Sequence, residues 1–587
     1  MADKTKKAKK IDGAVLRRLL EYTAPYRIFI ILSFIASTVS VLLTLLIPVL
    51  TGFAVDCAFG PGEVDFAGVA KNAVLMAVSA VGSAVFGWLA SYFNNLITFN
   101  TASDLRDRMF SKITTLPLSH IDTTPHGDMI NRITSDIDVV SDGLLQGLTQ
   151  LFTGVLTIIG TLLVMLFTNV TITVIVVVLT PLSLFVASFI VRGSVKYFRE
   201  QTETQGELGG CLNEYLSNIR VVKQFGYEDN ANEIYDNLNM KLKKCGFIAQ
   251  FYSALTNPTT RFVNNIVYAA VGVAGGLFAI SGVISIGTIS MFLSYANQYT
   301  KPFNEISGIM SQLTTALASA DRVFRLLDTP SEEPDAPDAA DKADTDGCVA
   351  FEDVSFSYVK DKPLIENLSL NVEPGSRVAI VGPTGCGKTT LINLLMRFYD
   401  VNSGRITSDG TDIRSIRRDT LRRRFSMVLQ DSWLFTGTVR DNIAYGKPDA
   451  TDEEIRDAAE RARAASFIER LPDGYDTIIS DDGGLSQGQR QLLNIARAIL
   501  LDAPVLILDE ATSNIDTRTE ILVQRAFNEM MKGRTSFVVA HRLSTIKSAD
   551  IILVMNAGKI IEQGNHEQLV RAGGFYAGLW AAMTAES

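Results

Sequence analysis

Six long apolar runs, near 28–50, 72–97, 144–168, 170–191, 262–282 and 286–300, constrain this chain more than any other feature. Most approach or exceed the roughly 20 residues that carry a helix across a hydrocarbon core about 30 Å thick. Buried helices of a soluble protein do not recur six times at this length, so the first 300 residues read as a membrane domain. The last run is short and is expected to continue as helix past Pro302. None of the six contains Asp, Glu, Lys, Arg or His. Ionisable groups inside a membrane usually mark ion or proton pathways, so ion-coupled transport is disfavoured. Polar residues do occur in them, among them Asn94, Asn95, Asn264, Asn265, Asn297 and Gln298. They are candidates for a substrate path, and interhelical hydrogen bonding within a bundle is the competing role.

Charge orients the spans. The basic stretch Lys4 to Lys10, with Arg17 and Arg18, places residues 1–27 in the cytoplasm. Ile11–Ala24 is expected to form an interfacial elbow helix with Arg17, Arg18 and Glu21 towards water. No apolar stretch with a small-residue cleavage site directly follows the basic start, so it is not a cleaved signal peptide. Asp56, Glu63 and Asp65 follow the first run and suit the outer side, whereas segments 98–143 and 192–261 are rich in Lys and Arg and face the cytoplasm. A net charge of −9 argues against a nucleic-acid partner. Five scattered cysteines support neither a disulfide framework nor a zinc site.

Composition changes near residue 321. Residues 328–347, DTPSEEPDAPDAADKADTDG, are acidic and proline-bearing and read as a linker that cannot fold alone. From 348 to 587 short strand-like runs alternate with helical patterns, the signature of an α/β domain with a largely parallel sheet. The strand Val378–Val381 runs into Gly382-Pro383-Thr384-Gly385-Cys386-Gly387-Lys388-Thr389, with Thr390 next and a helix after it. This is G-x-x-x-x-G-K-[ST] in its strand–loop–helix setting, a P-loop. Its backbone N–H groups wrap phosphates, Lys388 adds charge at the β/γ phosphates, and Thr389 offers a hydroxyl to Mg²⁺. A second apolar strand, Val505–Leu508, ends in Asp509-Glu510, one carboxylate to hold Mg²⁺ and one to poise water.

Together with Leu485-Ser486-Gln487-Gly488-Gln489-Arg490-Gln491, ILDEATSNID (507–516) and His541 in VVAHRLST, these residues resemble an ATP-binding cassette half-transporter. The likeness is to the exporter-type architecture, with a six-span all-α domain (28–327) fused to one α/β nucleotide-binding domain (348–587). It implies that Tyr358 stacks on adenine and Gln430 senses Mg²⁺ and the attacking water. Asp509 would position Mg²⁺, Glu510 would act as general base, and His541 would contact the γ-phosphate. Leu485 to Gln489, led by Ser486, would bind ATP held by a second subunit, and Asp516 would cross the dimer interface. The resemblance therefore implies ATP and Mg²⁺, a partner half-transporter (a heterodimer favoured over a homodimer), membrane lipid and a small-molecule substrate. It also implies a multi-pass protein of the bacterial plasma membrane. LPLSHIDTTPHGDMINRITSDID (116–138) and EYLSNIRVVKQFGYED (214–229) are similar to the family's two cytoplasmic coupling loops. Two departures stand out: Gln487 replaces the commoner glycine, and Ser480–Leu485 is a residue shorter than usual. The expected function is ATP-driven movement of amphipathic molecules, drugs or lipids by alternating access. The alternatives are an importer of the same architecture, for instance for a siderophore, and a nucleotide-switched channel or regulator.

Overall fold

The computed structural model describes residues 13–59, 64–341, 345–359, 362–429, 433–480, 484–509, 516–540 and 543–585. They form two compact units, one holding the chain up to Thr115 with Thr124–Thr329, the other Leu116–Thr123 with Pro330 onwards.

The helices are α1 (Gly13–Thr23), α2 (Arg27–Phe59), α3 (Phe66–Ile113), α4 (Leu118–Thr123), α5 (His126–Asn131), α6 (Ile137–Thr168), α7 (Val170–Ser217), α8 (Ile219–Gln224), α9 (Glu228–Ile280) and α10 (Ile286–Leu327). All but α4 belong to the first unit. Among the described residues, four stretches are long and apolar enough to cross a membrane: Gly13–Phe59, Phe66–Ile113, Thr149–Thr168 and Glu228–Ile280. A shorter apolar stretch, Val170–Pro181, opens α7, and the run at 286–300 opens α10. At 1.5 Å per residue the 53 residues of α9 measure roughly 80 Å, so it extends well beyond a core of about 30 Å. Pro48, Pro181, Pro258 and Pro302 lie inside helices. Membrane helices tolerate this because neighbouring hydroxyls and helices satisfy the freed backbone groups.

Two contacts at helix ends depart from the sequence reading. Arg18, partly exposed, does not stand free in water: its guanidinium makes two bonds to Asp328, at 2.6 and 2.7 Å, and lies 4.4 Å from the Phe324 ring centroid. A bidentate carboxylate and an aromatic face replace part of its hydration. Arg17, by contrast, pairs with Glu21 in the open at 3.5 Å. Asp56, read as part of an outer loop, occupies the last turn of α2 and accepts hydrogen bonds from the Gly287 amide and the Ser285 hydroxyl, at 2.7 and 2.6 Å. It can do so because α2 and α10 nearly touch there. A Cβ on Gly287 would lie 2.0 Å from the Gly52 carbonyl oxygen, so only glycine fits.

The second unit carries strands β1 (Val349–Phe356), β2 (Ile365–Val372), β3 (Arg377–Val381), β4 (Ser403–Ser408), β5 (Thr411–Asp412), β6 (Phe425–Val428), β7 (Gly437–Thr438), β8 (Ile478–Ile479), β9 (Val505–Asp509), β10 (Thr535–Val539), β11 (Ile551–Asn556) and β12 (Lys559–Gly564). A six-stranded sheet runs β12-β11-β3-β10-β9-β6, parallel except for the edge strand β12. Its inner strands are almost wholly buried, which is why they read as unbroken apolar runs. An antiparallel sheet, β2-β1-β4-β5, packs with them through a second core around Phe351, Leu370 and Ile406.

The acidic segment after Asp328 is not a solvated tether. Asp335 and Glu332 reach the Arg418 guanidinium at 2.8 and 3.1 Å, and Asp335 also accepts the Arg418 amide. Ala340 exchanges backbone bonds with Ser415 and Arg417. Arg418→Met should therefore take the shorter ion pair from both carboxylates, leaving Glu332 to Arg422 and Asp335 to Arg397, and destabilise this unit by about 1–3 kcal/mol. Thermal unfolding and faster proteolysis within 330–341 would register the loss.

Candidate nucleotide site

The phosphate loop connects β3 to helix α11 (Lys388–Leu395). Gly387 caps that helix at φ 104°, a conformation that side-chain-bearing residues rarely adopt. Gly382 passes so close to the strand beside it that a Cβ would meet the Met555 carbonyl oxygen at 2.1 Å. Lys388 folds back over the loop, donating to the Gly382 and Pro383 carbonyls at 2.8 and 3.0 Å. Its ammonium is thus held at the loop mouth, where it can exchange carbonyl oxygens for phosphate oxygens. Pro383, Thr384 and Gly385 are exposed, Cys386 is buried, and Thr389 faces outward from the first turn of α11.

Tyr358 follows β1 and stands edge-on to Phe356 and Tyr399, with centroids at 4.9 and 5.0 Å. Its hydroxyl donates to Thr390 Oγ1 at 3.3 Å and accepts from Asn393 at 3.4 Å. The ring is therefore fixed from one side, yet 47% of the residue remains exposed for a flat base to stack on.

Strand register aligns the rest. Val539 on β10 pairs with Ile380 on one side and Asp509 on the other. Asp509 thus ends two strands from the phosphate loop, about 10 Å across the sheet, at the same edge. Ligands of open α/β sheets bind at this carboxyl edge. Gln430, Glu510 and His541 lie outside the described residues. The strands that precede them, β6, β9 and β10, all run parallel to β3 and end at that edge.

Helices α12 (Arg418–Arg423), α13 (Val439–Ala444), α14 (Asp452–Arg461), α15 (Ala465–Ile468) and α16 (Gln487–Leu501) follow in chain order, then α17 (Thr517–Met530). Ser486 caps α16 through a capping box: its hydroxyl accepts the Gln489 amide at 3.3 Å while Gln489 Oε1 accepts the Ser486 amide at 2.9 Å. Leu485 is partly buried, Gln487 exposed and Gly488 buried, so the open end of α16 presents amides and positive dipole to an anion. Residues 481–483, where the shortened segment falls, lie outside the described residues. Asp516 caps α17, and the Thr519 amide that donates to it at 3.0 Å holds its carboxyl below the usual range.

Of the polar residues in the spans, Asn94 binds Ser33 at 2.8 Å and Thr149 at 2.5 Å, tying three helices together. Asn95, Asn265 and Asn297 are exposed, while Asn264 Oδ1 and Gln298 Oε1 are buried without a hydrogen-bond partner. Sequence reasoning missed Tyr399. Its hydroxyl donates to Asp122 of α4 at 2.5 Å, and burial, then that bond, push its pKa up. Nothing in local spacing flags a tyrosine whose partner is 277 residues away.

The profile of the ABC transporter transmembrane region matches residues 30–303, and that of the ABC transporter matches 365–513. A fatty acid ABC transporter ATP-binding/permease protein of Mycobacterium bovis is 45% identical over 518 residues, covering 88% of this chain and 82% of its own. An ATP-dependent lipid A-core flippase of Desulfotalea psychrophila is 37% identical over 566 residues, covering 96% and 98%. A solved bacterial Atm1-family ABC exporter with ATP bound superposes with a TM-score of 0.76 at 30% identity, over 98% of this chain and all of the other. With the phosphate loop, the signature helix cap and the apolar helices in one chain, this protein belongs to the ABC transporter family. It is an exporter-type half-transporter of a bacterial membrane that works as a dimer and couples ATP hydrolysis to transport.

Proposed function

We propose that this chain moves amphipathic, lipid-like molecules, with residues 28–327 as translocation domain, 328–347 as linker and 348–587 as motor. The uncharged spans and the named cargoes of the relatives, a fatty acid and lipid A-core, support the substrate class. In the motor, Tyr358 stacks on adenine, the Gly382–Thr390 loop and Lys388 hold the phosphates, and Glu510 takes the proton of the attacking water. His541 holds the γ-phosphate. Mg²⁺ needs only one or two protein oxygens beside those of the phosphates, and Thr389, Gln430 and Asp509 are hard ligands of that kind. When bound, the ion neutralises charge developing on the phosphates. The residues from Leu485 to Gln489 and Asp516 serve the partner's nucleotide, which makes a second half-transporter necessary; we favour a heterodimer, in keeping with family habit.

The observation that carries this reading is the register that brings Asp509 level with the phosphate loop at one sheet edge. Purification of the chain alone, with its mass and ATPase activity measured together, tests the assembly. A monomer or an inactive dimer is expected; an active homodimer would sink the obligate heterodimer. Reconstituted into vesicles with its partner, the complex should move a labelled amphiphile only with ATP.

A further inference from the structure

The six spans lack ionisable residues, yet α10 runs on and carries Lys301 and Glu305 into a cavity of about 270 Å³ between α2, α6 and α10. Lys301 lies 15 residues along α10 from its outer end, roughly 22 Å at 1.5 Å per residue. With Ile286 set at the outer face, that depth falls inside a hydrocarbon core of about 30 Å, and the Lys301 side chain is exposed, open to the cavity. A charge there is costly unless it is matched, and such residues mark binding sites or pathways. Among the described residues Lys301 forms no ion pair; Glu305, one turn on, does not close upon it.

Three threonines and Gln298 supply the other polar groups of the cavity, and Thr44 is already held by the Ser40 carbonyl and the Ser83 hydroxyl. Thr153 and Thr157 each spend their hydroxyl proton on the carbonyl four residues back, at 2.8 and 2.7 Å, leaving lone pairs. Gln298 Oε1 is buried and has no donor. Leu45, Gly154 and Pro302 supply an apolar wall. One unmatched cation beside an unmatched acceptor and an apolar wall describes the complement of an acidic head on a hydrocarbon chain.

We propose that this cavity receives the head of a singly anionic amphiphile. Lys301 binds the acidic oxygen, and Gln298 Oε1 accepts a hydrogen from a hydroxyl or N–H on the head. The apolar wall takes the first methylenes. Glu305 stands one turn closer to the cytoplasm and repels a second negative charge, so a dianionic head is disfavoured. The proposal rests on the transporter reading and narrows it to a head-group chemistry.

The test uses the assembled transporter in lipid nanodiscs and probes that share one twelve-carbon tail: dodecanoate, 2-hydroxydodecanoate, dodecyl phosphate and dodecyltrimethylammonium. The readout is the concentration of each that half-maximally changes ATPase rate. The hydroxy acid and dodecanoate should act at the lowest concentrations, with the dianionic phosphate and the cation well above them. In Lys301→Met the midpoint for dodecanoate should rise about tenfold, the worth of one charge-assisted hydrogen bond, while that for the cation moves far less. Lys301→Arg should recover most of the difference. Equal midpoints for acid and cation in the wild type, or an unchanged acid midpoint in Lys301→Met, would overturn the proposal. The wild-type ranking decides by itself if the variant does not fold. A wild-type complex without ATPase activity would instead overturn the transporter reading, and this inference with it.

Discussion

Glu510→Gln is expected to lower steady-state ATP hydrolysis by a factor on the order of 10²–10⁴, the range removed with a general base. The substitution keeps size and shape but removes the group that accepts the water proton. The preceding residue, Asp509, ends β9 in register with the strand beside the phosphate loop, so nucleotide binding should persist. In vesicles the variant should bind ATP and stall, with substrate flux falling in step with hydrolysis. If ATP-dependent flux survived undiminished while hydrolysis stopped, the turnover mechanism would be wrong and a nucleotide-switched channel would take its place.

The second large effect lies at Ser486, where two roles of one side chain separate. Its hydroxyl caps α16, and the same helix end offers positive dipole to the partner's γ-phosphate. Ser486→Ala removes the cap and should cost about 1 kcal/mol of stability, read as a lower unfolding temperature of the nucleotide-binding domain. Ser486→Asp keeps a good cap, so unfolding should move little, yet it places a carboxylate against the incoming phosphates. Hydrolysis should then fall about a hundredfold, roughly 2.7 kcal/mol at 1.36 per decade. If Ser486→Asp hydrolysed ATP at the wild-type rate, α16 would not face a nucleotide in the working dimer.

Much of the site was legible because its geometry is local. The phosphate loop is eight consecutive residues whose glycines permit one backbone path, and the strand and helix on either side follow from apolar pattern alone. Ser486 and Gln489 form their box across three residues. Sequence could not show that Arg18 pairs with Asp328, 310 residues away, or that Asp335 and Glu332 clasp Arg418. An acidic, proline-bearing stretch reads as a tether whenever the basic surface that binds it is assembled from residues far along the chain.

The same division holds for the whole protein. Sequence alone determined that apolar helices precede a phosphate-binding α/β domain, since span length and loop motifs each depend on short runs of neighbouring residues. Only the tertiary structure decided that strands β3, β10 and β9 lie side by side, bringing Asp509 to the phosphate loop's edge. It alone brought residues of α2 and α6, Leu45 and Thr157 among them, around Lys301 and Gln298. Strand order and helix packing answer to burial across the fold, and no window of sequence contains both partners.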